Sequence, residues 1–434
     1  MAENTRYPLS KKRRTNLLTT AVRLYGAMDL RTESFMLPEI KENEVLIKVV
    51  TDTLCTSTYK AVKQGSAHKR VPDGIDKAPV IIGHEMCGEI VQVGSDLSGK
   101  WRVGQKIVIQ PALKLESGYD PGYSYRFIGG SSKYCVVPSI VLERGCMIPY
   151  CGEGFFEGSL VEALGCILRG YKGFYHTDYT DYKRSDGAKK GGRIAILGGA
   201  GPMGLGAVEL AMGYAGAGQI TVTDIDEKRL EFARRKCPEL KAKKLGCRLD
   251  YVNTKDMKDP VNKLKALSDG GYDDVFVMVP VPELFSMAER ICREDGCINF
   301  FAGPAVKELS GSINLYRIHY DGIHVVGTAG SIPEDTVDTI RLIENKVIES
   351  GALVSHILGL KAVEAAIYAM EKPSGAKKVC YPHIDIPLIA IDELEELGKS
   401  DPLYRELGDA VKKNGGNWCA EAERILLEKG PKLI

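Results

Sequence analysis

The sequence predicts an α/β protein with two domains, a β-rich unit followed by a doubly wound parallel sheet. Two observations predict it. The run Gly199-Ala200-Gly201-Pro202-Met203-Gly204 stands between a strand-like Arg193-Ile194-Ala195-Ile196-Leu197 and a helix-like stretch from Leu205 to Ala215. In addition, the apolar pattern changes near Ser159 from short runs punctuated by turn residues to helical periodicity and then to alternating strand and helix.

In chain order, residues 1–16 are polar and include Lys11-Lys12-Arg13-Arg14, which reads as a flexible tail. From Leu17 to Val50, and again through Val80-Ile81-Ile82, residues 89–93 and 106–109, short apolar runs alternate with turns and predict an all-β, barrel-like unit. Helical spacing runs from Ser159 to Tyr171, and a polar loop is expected from His176 to Lys190. Strands are expected at 193–197, 219–223, 273–279, 297–301 and 323–327, separated by helices such as 226–236, 282–293 and 334–349. The C-terminal segment becomes strongly helical from Asp392 to Lys429. The expected division is 1–16 tail, 17–170 first domain, 171–351 nucleotide domain, and 352–434 completion of the first domain with a helical extension.

The glycine run fits a dinucleotide-binding turn. Gly199 permits the bend, Gly201 lets the backbone approach a pyrophosphate, and Gly204 lets the helix pack on the strand, while Pro202 and Met203 open that helix. Asp224 stands twenty residues after Gly204 at the end of the next strand, where a carboxylate accepts both ribose hydroxyls. It favours NAD; NADP stays open, because Arg229 either softens the repulsion of a 2′-phosphate or is a solvated helix residue.

Composition narrows the partners. With 58 basic and 57 acidic residues in 434, no global field favours nucleic acid or membrane. The twelve cysteines include no CxxC pair and no N-terminal apolar run suggests secretion, so reduced thiols and a cytoplasmic location are expected. The expected partners are a small molecule and further copies of the chain.

In the β-rich half, Cys55 is followed twenty-nine residues later by His84-Glu85. Thiolate, imidazole and carboxylate are the ligand types of a catalytic zinc. Each alone has a plainer explanation, since cysteine is often a small buried hydrophobe. Glu162, at the start of the helical stretch, is either a fourth ligand or an ordinary helix-start carboxylate.

The order Cys55, His84-Glu85, Gly94, Val103-Gly104, Glu162, the glycine turn and Asp224 resembles the zinc-dependent medium-chain alcohol and polyol dehydrogenases from about Thr20 to His383. The strings Cys55-Thr56-Ser57-Thr58-Tyr59-Lys60, Ala67-His68-Lys69-Arg70-Val71-Pro72, Pro121-Gly122-Tyr123-Ser124-Tyr125 and Phe300-Phe301-Ala302-Gly303-Pro304 are similar to the L-sorbose 1-phosphate reductases, as is the segment from Asn417 to Glu423. The resemblance implies a GroES-like catalytic domain beside a Rossmann domain. It implies one catalytic zinc on Cys55, His84 and Glu85, with Glu162 binding directly or through water, and Ser57 as proton shuttle. Where the family commonly has a histidine five residues after the cysteine, this chain has Lys60, placed at the far end of the relay; Ala163 replaces the usual proline after Glu162. The four clustered cysteines of a structural zinc are missing between Gly104 and Tyr134.

The implied reaction is NAD(P)H-dependent reduction of a ketose phosphate, L-sorbose 1-phosphate to D-glucitol 6-phosphate. Alternatives are a dehydrogenase of an unphosphorylated polyol or another polyol phosphate, and, in a different class, a non-catalytic dinucleotide-binding sensor or structural subunit. A phosphate needs cations, for which Lys60, Lys69 and Arg70 are the candidates, with Arg126 and Arg317 weaker. Tyr123 and Tyr125 either wall the pocket or pack in the β core. A homodimer or homotetramer is expected.

Overall fold

The computed structural model describes residues 17–304, 306–372 and 375–434. The expected tail 1–16, with its basic run, lies outside them. Strand Val45–Leu54 is the hub of the first β system, pairing antiparallel with Met86–Val93, Tyr134–Val137 and Lys377–Tyr381. From there the sheet extends through Lys106–Ile109 to Met147–Pro149 on one side, and through Val354–Gly359 to Ile389–Ala390 on the other. Residues beyond 350 therefore complete a sheet begun before residue 55. A second, three-stranded sheet joins Leu18–Gly26 to Asp29–Met36 and Val80–Ile81.

This unit is not all β. A helix, Thr56–Gln64, starts directly after Cys55 and buries Thr58, Tyr59, Ala61 and Val62. Its apolar face is only two turns long, too short to stand out from the surrounding strand pattern.

The second system is a six-stranded parallel sheet in the order Arg248–Asn253, Gln219–Asp224, Arg193–Leu197, Tyr272–Val277, Cys292–Phe300, His324–Gly327. That order, 3-2-1-4-5-6 along the chain, is the doubly wound arrangement whose ligand crevice opens at the carboxyl end of the first strand. All five expected strands are present to within a few residues. The sixth, Arg248–Asn253, went unread because it is an edge strand that buries only Leu249 and Tyr251. The polar loop expected from His176 to Lys190 contains instead a hairpin of Tyr175–Asp178 with Lys183–Asp186. Its second strand is exposed throughout and carries no apolar signal.

Helix Phe155–Gly173 joins the two systems. Phe156, Leu160, Val161, Leu164, Ile167, Leu168 and Tyr171 are buried at helical spacing, in one core with Cys87 and Val108 of the first system and Leu205 and Val208 of the second. Its N-terminus is closed by the C-terminal extension, whose helices are Pro402–Lys413 and Ala420–Lys429. Buried Glu423 accepts from Phe155 N at 2.5 Å, Phe156 N at 2.8 Å and the Tyr381 hydroxyl at 3.0 Å. The first two are N–H groups that a helix start otherwise leaves unpaired. Replacing Glu423 with Ala removes the acceptor of all three bonds in a buried site and lowers stability by about 2–4 kcal/mol. Urea unfolding checks this, and a loss below about 0.5 kcal/mol contradicts the capping role.

No helix among the described residues is long and apolar enough to cross a membrane, and all twelve cysteines are unpaired.

Candidate metal and nucleotide site

Cys55 follows the central strand Val45–Leu54 and His84-Glu85 precede Met86–Val93, its antiparallel neighbour. The pairing closes the twenty-nine-residue gap, and one ligand atom each from Cys55, His84 and Glu85 fall within 4.8 Å of one another. Among the described residues this is the one group of three His, Cys, Asp or Glu side chains so placed.

His84 is oriented from both ring nitrogens. Thr58 Oγ1 lies 3.1 Å from Nδ1, and Ser57 Oγ and the Tyr123 hydroxyl lie 3.3 and 3.2 Å from Nε2. Burial disfavours the imidazolium and lowers its pKa, although the Glu162 and Glu85 carboxylates pull the other way. A neutral imidazole is the form that ligates metal. Ser57 Oγ donates to Cys55 Sγ at 3.0 Å, so the expected shuttle residue touches the expected ligand.

Lys377 was not read from the sequence. It is buried, and its ammonium donates to both Glu85 oxygens at 2.5 and 2.7 Å. Burial works against the ammonium, yet the Glu85 carboxylate holds it above the ordinary lysine range. Burial likewise raises Glu85, opposed by Lys377. A carboxylate offers about four lone-pair sites, so two contacts to Lys377 leave capacity toward the cluster, where Glu85 Oε1 lies 4.0 Å from His84 Nε2.

Glu162 sits apart from the three-atom cluster on the joining helix, partly buried, with Cys166 Sγ donating to its Oε1 at 3.5 Å. Burial raises its pKa, and the nearby His84 opposes the rise. Cys166 also contacts Ser331, which receives a 2.6 Å bond from Gln110 Nε2, so the surroundings of Glu162 are tied to both β systems.

The expected cations have different surroundings. Lys60 Nζ reaches across to Gly303 O of the nucleotide unit at 3.1 Å. Arg70 pairs with Asp120 at 2.8 Å and lies 5.0 Å from the centre of the Tyr123 ring. Lys69 is exposed. His68, beside them, is pushed down to about 4 by burial and by the charges of Arg70, Lys69 and Lys60, which marks a concentration of positive charge next to Tyr123. Arg126 is exposed beside Phe127. Arg317 is bound to Asp321 and the Cys292 carbonyl, remote from this cluster in its pairings.

At the glycine turn, Gly199 N donates to Thr223 O at 2.9 Å. A Cβ on Gly204 would lie 1.9 Å from Gly199 O, so the third glycine is required for helix and strand to approach. Around Gly201 no heavy atom lies within 4 Å of such a Cβ, leaving the backbone open where a pyrophosphate would come. Pro202 is the first residue of helix Pro202–Leu210, and Met203 follows it, partly buried. Asp224 Oδ2 accepts from Ala200 N at 3.3 Å and Oδ1 from Ile225 N at 2.8 Å, which fixes the carboxylate beside the turn. Arg229, on the next helix, has its Nε 3.9 Å from Asp226.

A zinc-binding dehydrogenase model matches residues 202–345, and an alcohol dehydrogenase GroES-like domain model matches residues 41–157. The chain is 42% identical to a mannitol-1-phosphate 5-dehydrogenase of Aliivibrio fischeri and 40% identical to an L-sorbose 1-phosphate reductase of Klebsiella pneumoniae. Each comparison covers 94% of this chain and 97% of the relative. The fold superposes on 2R,3R-butanediol dehydrogenase from Bacillus subtilis with a TM-score of 0.69 at 23% identity, over 84% of this chain and 99% of that one. With its GroES-like unit, parallel-sheet nucleotide unit and these relatives, the chain belongs to the zinc-dependent alcohol and polyol dehydrogenase family, oxidoreductases acting on CH–OH groups.

Proposed function

We propose that this chain reduces a ketose phosphate with NAD(P)H at a single zinc, L-sorbose 1-phosphate to D-glucitol 6-phosphate, and catalyses the reverse reaction. The observation that carries this reading is the convergence of Cys55, His84 and Glu85 around one point with Ser57 against it. The donor set fits the metal, since thiolate, imidazole and carboxylate are the groups of catalytic zinc sites. Cys55, His84 and Glu85 would hold it, with Glu162 as the further carboxylate that would bind directly or through water. When bound, zinc supplies a Lewis acid that polarises the carbonyl, and the nicotinamide supplies the hydride.

The chain's own residues do the rest. Ser57 gives its proton to the carbonyl oxygen as hydride reaches the carbon, so that C–H and O–H bonds form as the C=O π bond breaks. Lys377 keeps the Glu85 charge compensated in a buried site. Lys60, Lys69 and Arg70 meet the phosphate, a reading supported by the positive charge gathered around His68. Lys60 thus takes a substrate-side role, and its bond to Gly303 O ties that side to the nucleotide unit. Gly199, Gly201 and Gly204 cradle the pyrophosphate, and Asp224 selects NAD by repelling a 2′-phosphate.

A second reading, oxidation of mannitol 1-phosphate, is supported by the 42% identical relative bearing that name. Both are polyol-phosphate oxidoreductions.

The test is kcat/KM of the purified protein for L-sorbose 1-phosphate and L-sorbose, with NADH and with NADPH, and for mannitol 1-phosphate with NAD. The expected result is at least a tenfold preference for the phosphorylated ketose, about 1.4 kcal/mol, with NADH over NADPH. Equal use of phosphorylated and free ketose contradicts the phosphate assignment; turnover of mannitol 1-phosphate alone replaces the sorbose assignment with the second reading.

We also place a homo-oligomer at the end of the parallel sheet. His324–Gly327 is one of its two edge strands, and the helix before it exposes Leu315, Tyr316 and Tyr320 at 72%, 63% and 69%. An open strand edge beside exposed apolar side chains is the arrangement a two-fold partner covers. Sedimentation equilibrium should give the mass of two or four chains; a monomer at micromolar concentration contradicts it.

A further inference from the structure

Tyr123 has no role in the reaction as described so far, yet its side chain meets Ser57, His84, His68 and Arg70. It is carried on a turn pressed against the Gly83-His84 backbone. Gly122, at φ +76°, has Gly83 O where its Cβ would stand, 2.2 Å away, and His84 Cα at 2.9 Å. Only a residue without a side chain permits that approach. Tyr123 is consequently 3% exposed. Its ring stacks on His84 with centroids 4.7 Å apart and planes 28° apart, and lies nearly parallel to His68 at 6.1 Å.

The hydroxyl is what matters for the chemistry. Tyr123 O–H donates to Ser57 Oγ at 2.8 Å, and Ser57 O–H donates to Cys55 Sγ at 3.0 Å. The chain of donors therefore has a direction, from the phenol through the serine to the metal-ligand cluster. A serine hydroxyl has one proton and two lone pairs. With Tyr123 occupying an acceptor position of Ser57, the serine proton is left to point at the cluster, and donation from the phenol polarises it further.

We propose that Tyr123 is a positioning residue for proton transfer: its hydroxyl holds Ser57 in the donor sense and rotamer that deliver the serine proton to the substrate oxygen. The inference rests on the shuttle role given to Ser57 under the proposed function. In the reduction, the nicotinamide hydride forms the new C–H bond and NADH becomes NAD. The Ser57 proton forms the new O–H bond, and solvent water returns a proton to Ser57. Tyr123 keeps its proton throughout. This gives the chain an anchor for Ser57 that lies wholly within the GroES-like unit, where the relay residue common in the family is replaced by Lys60 and Lys60 is bonded to Gly303 O.

The test is Tyr123→Phe, which keeps the ring, its stack on His84 and its contact with Arg70 and removes only the hydroxyl. In the zinc-loaded enzyme, kcat for the ketose phosphate should fall about tenfold or more, with KM and zinc content within twofold of wild type. In a Ser57→Ala background the same substitution should change kcat less than twofold. A second readout needs no turnover. In the metal-free protein, the urea midpoints of wild type, Tyr123→Phe, Ser57→Ala and the double variant should show a double variant less destabilised than the sum of the singles.

Wild-type kcat in Tyr123→Phe, additive kcat losses, or loss of zinc together with kcat would overturn the proposal. Additive midpoint shifts would do the same. If the wild-type enzyme turns over no ketose phosphate, the functional reading fails on that result alone, and the midpoint cycle still decides whether Tyr123 holds Ser57.

Discussion

Cys55→Ala should abolish zinc binding and lower turnover of the ketose phosphate by about 10³-fold or more, the factor expected from losing several kcal/mol of Lewis-acid stabilisation. Cys55 offers the soft donor of a three-residue cluster whose other members are His84 and Glu85, and a catalytic zinc takes three protein ligands with a position left open for substrate. The fold should survive, because Cys55 is a partly exposed residue at a strand end and its thiol packs no core. The control is Cys151→Ala, an exposed cysteine away from the cluster, which should leave zinc content and turnover unchanged. Zinc stoichiometry by elemental analysis, beside kcat/KM, reads the result. Full zinc content in Cys55→Ala would remove Cys55 from the metal site.

Lys377→Met should destabilise the metal-free protein by about 3–5 kcal/mol, the usual cost of stranding one partner of a buried ion pair. Lys377 and Glu85 are nearly inaccessible, at 4% and 1% of side-chain surface, so water cannot replace the lost ammonium. The desolvation of Glu85 is then uncompensated and its carboxyl must protonate or its surroundings must open. Lys377→Met with Glu85→Gln should recover most of the loss, because the pair is removed together and no isolated charge is left. Guanidinium unfolding of the four forms checks this. A single variant within 1 kcal/mol of wild type, or a double variant as unstable as the single, contradicts a charge-compensation role for Lys377.

The parts of the site that were legible in the sequence are those whose geometry is local. The glycine turn and Asp224 could be placed because a tight turn needs its glycines within six residues and the ribose carboxylate follows one strand later; the structure puts Asp224 within hydrogen-bond reach of Ala200 N. Cys55, Ser57 and His84 could be singled out by residue type and resemblance, and the pairing of Val45–Leu54 with Met86–Val93, the strands that flank them, brings them together. Lys377 could not. It is 292 residues from Glu85 in sequence, and nothing local distinguishes it from its exposed counterparts until Lys377–Tyr381 docks on Val45–Leu54. Tyr123 stood open between wall and core because the decisive signal was Gly122, and a glycine before an aromatic residue does not by itself announce contact with His84.

The fold shows the same division. The central parallel strands were readable as apolar runs buried on both faces, as Tyr272–Val277 and Gln219–Asp224 are. The edge strand Arg248–Asn253 and the hairpin strand Lys183–Asp186 lacked that pattern for a physical reason: a third of the first and none of the second is buried. The role of the Asn417 to Glu423 segment was likewise invisible, since capping helix Phe155–Gly173 depends on a contact 268 residues away in the chain.

The most direct test of the account is kcat/KM for L-sorbose 1-phosphate with NADH before and after removal of metal by a chelator, followed by restoration with one equivalent of zinc per chain. Metal-centred reduction of a ketose phosphate predicts turnover that is lost on chelation, by about 10³-fold or more, and returns with the first equivalent of zinc. Turnover that survives complete removal of metal would contradict it.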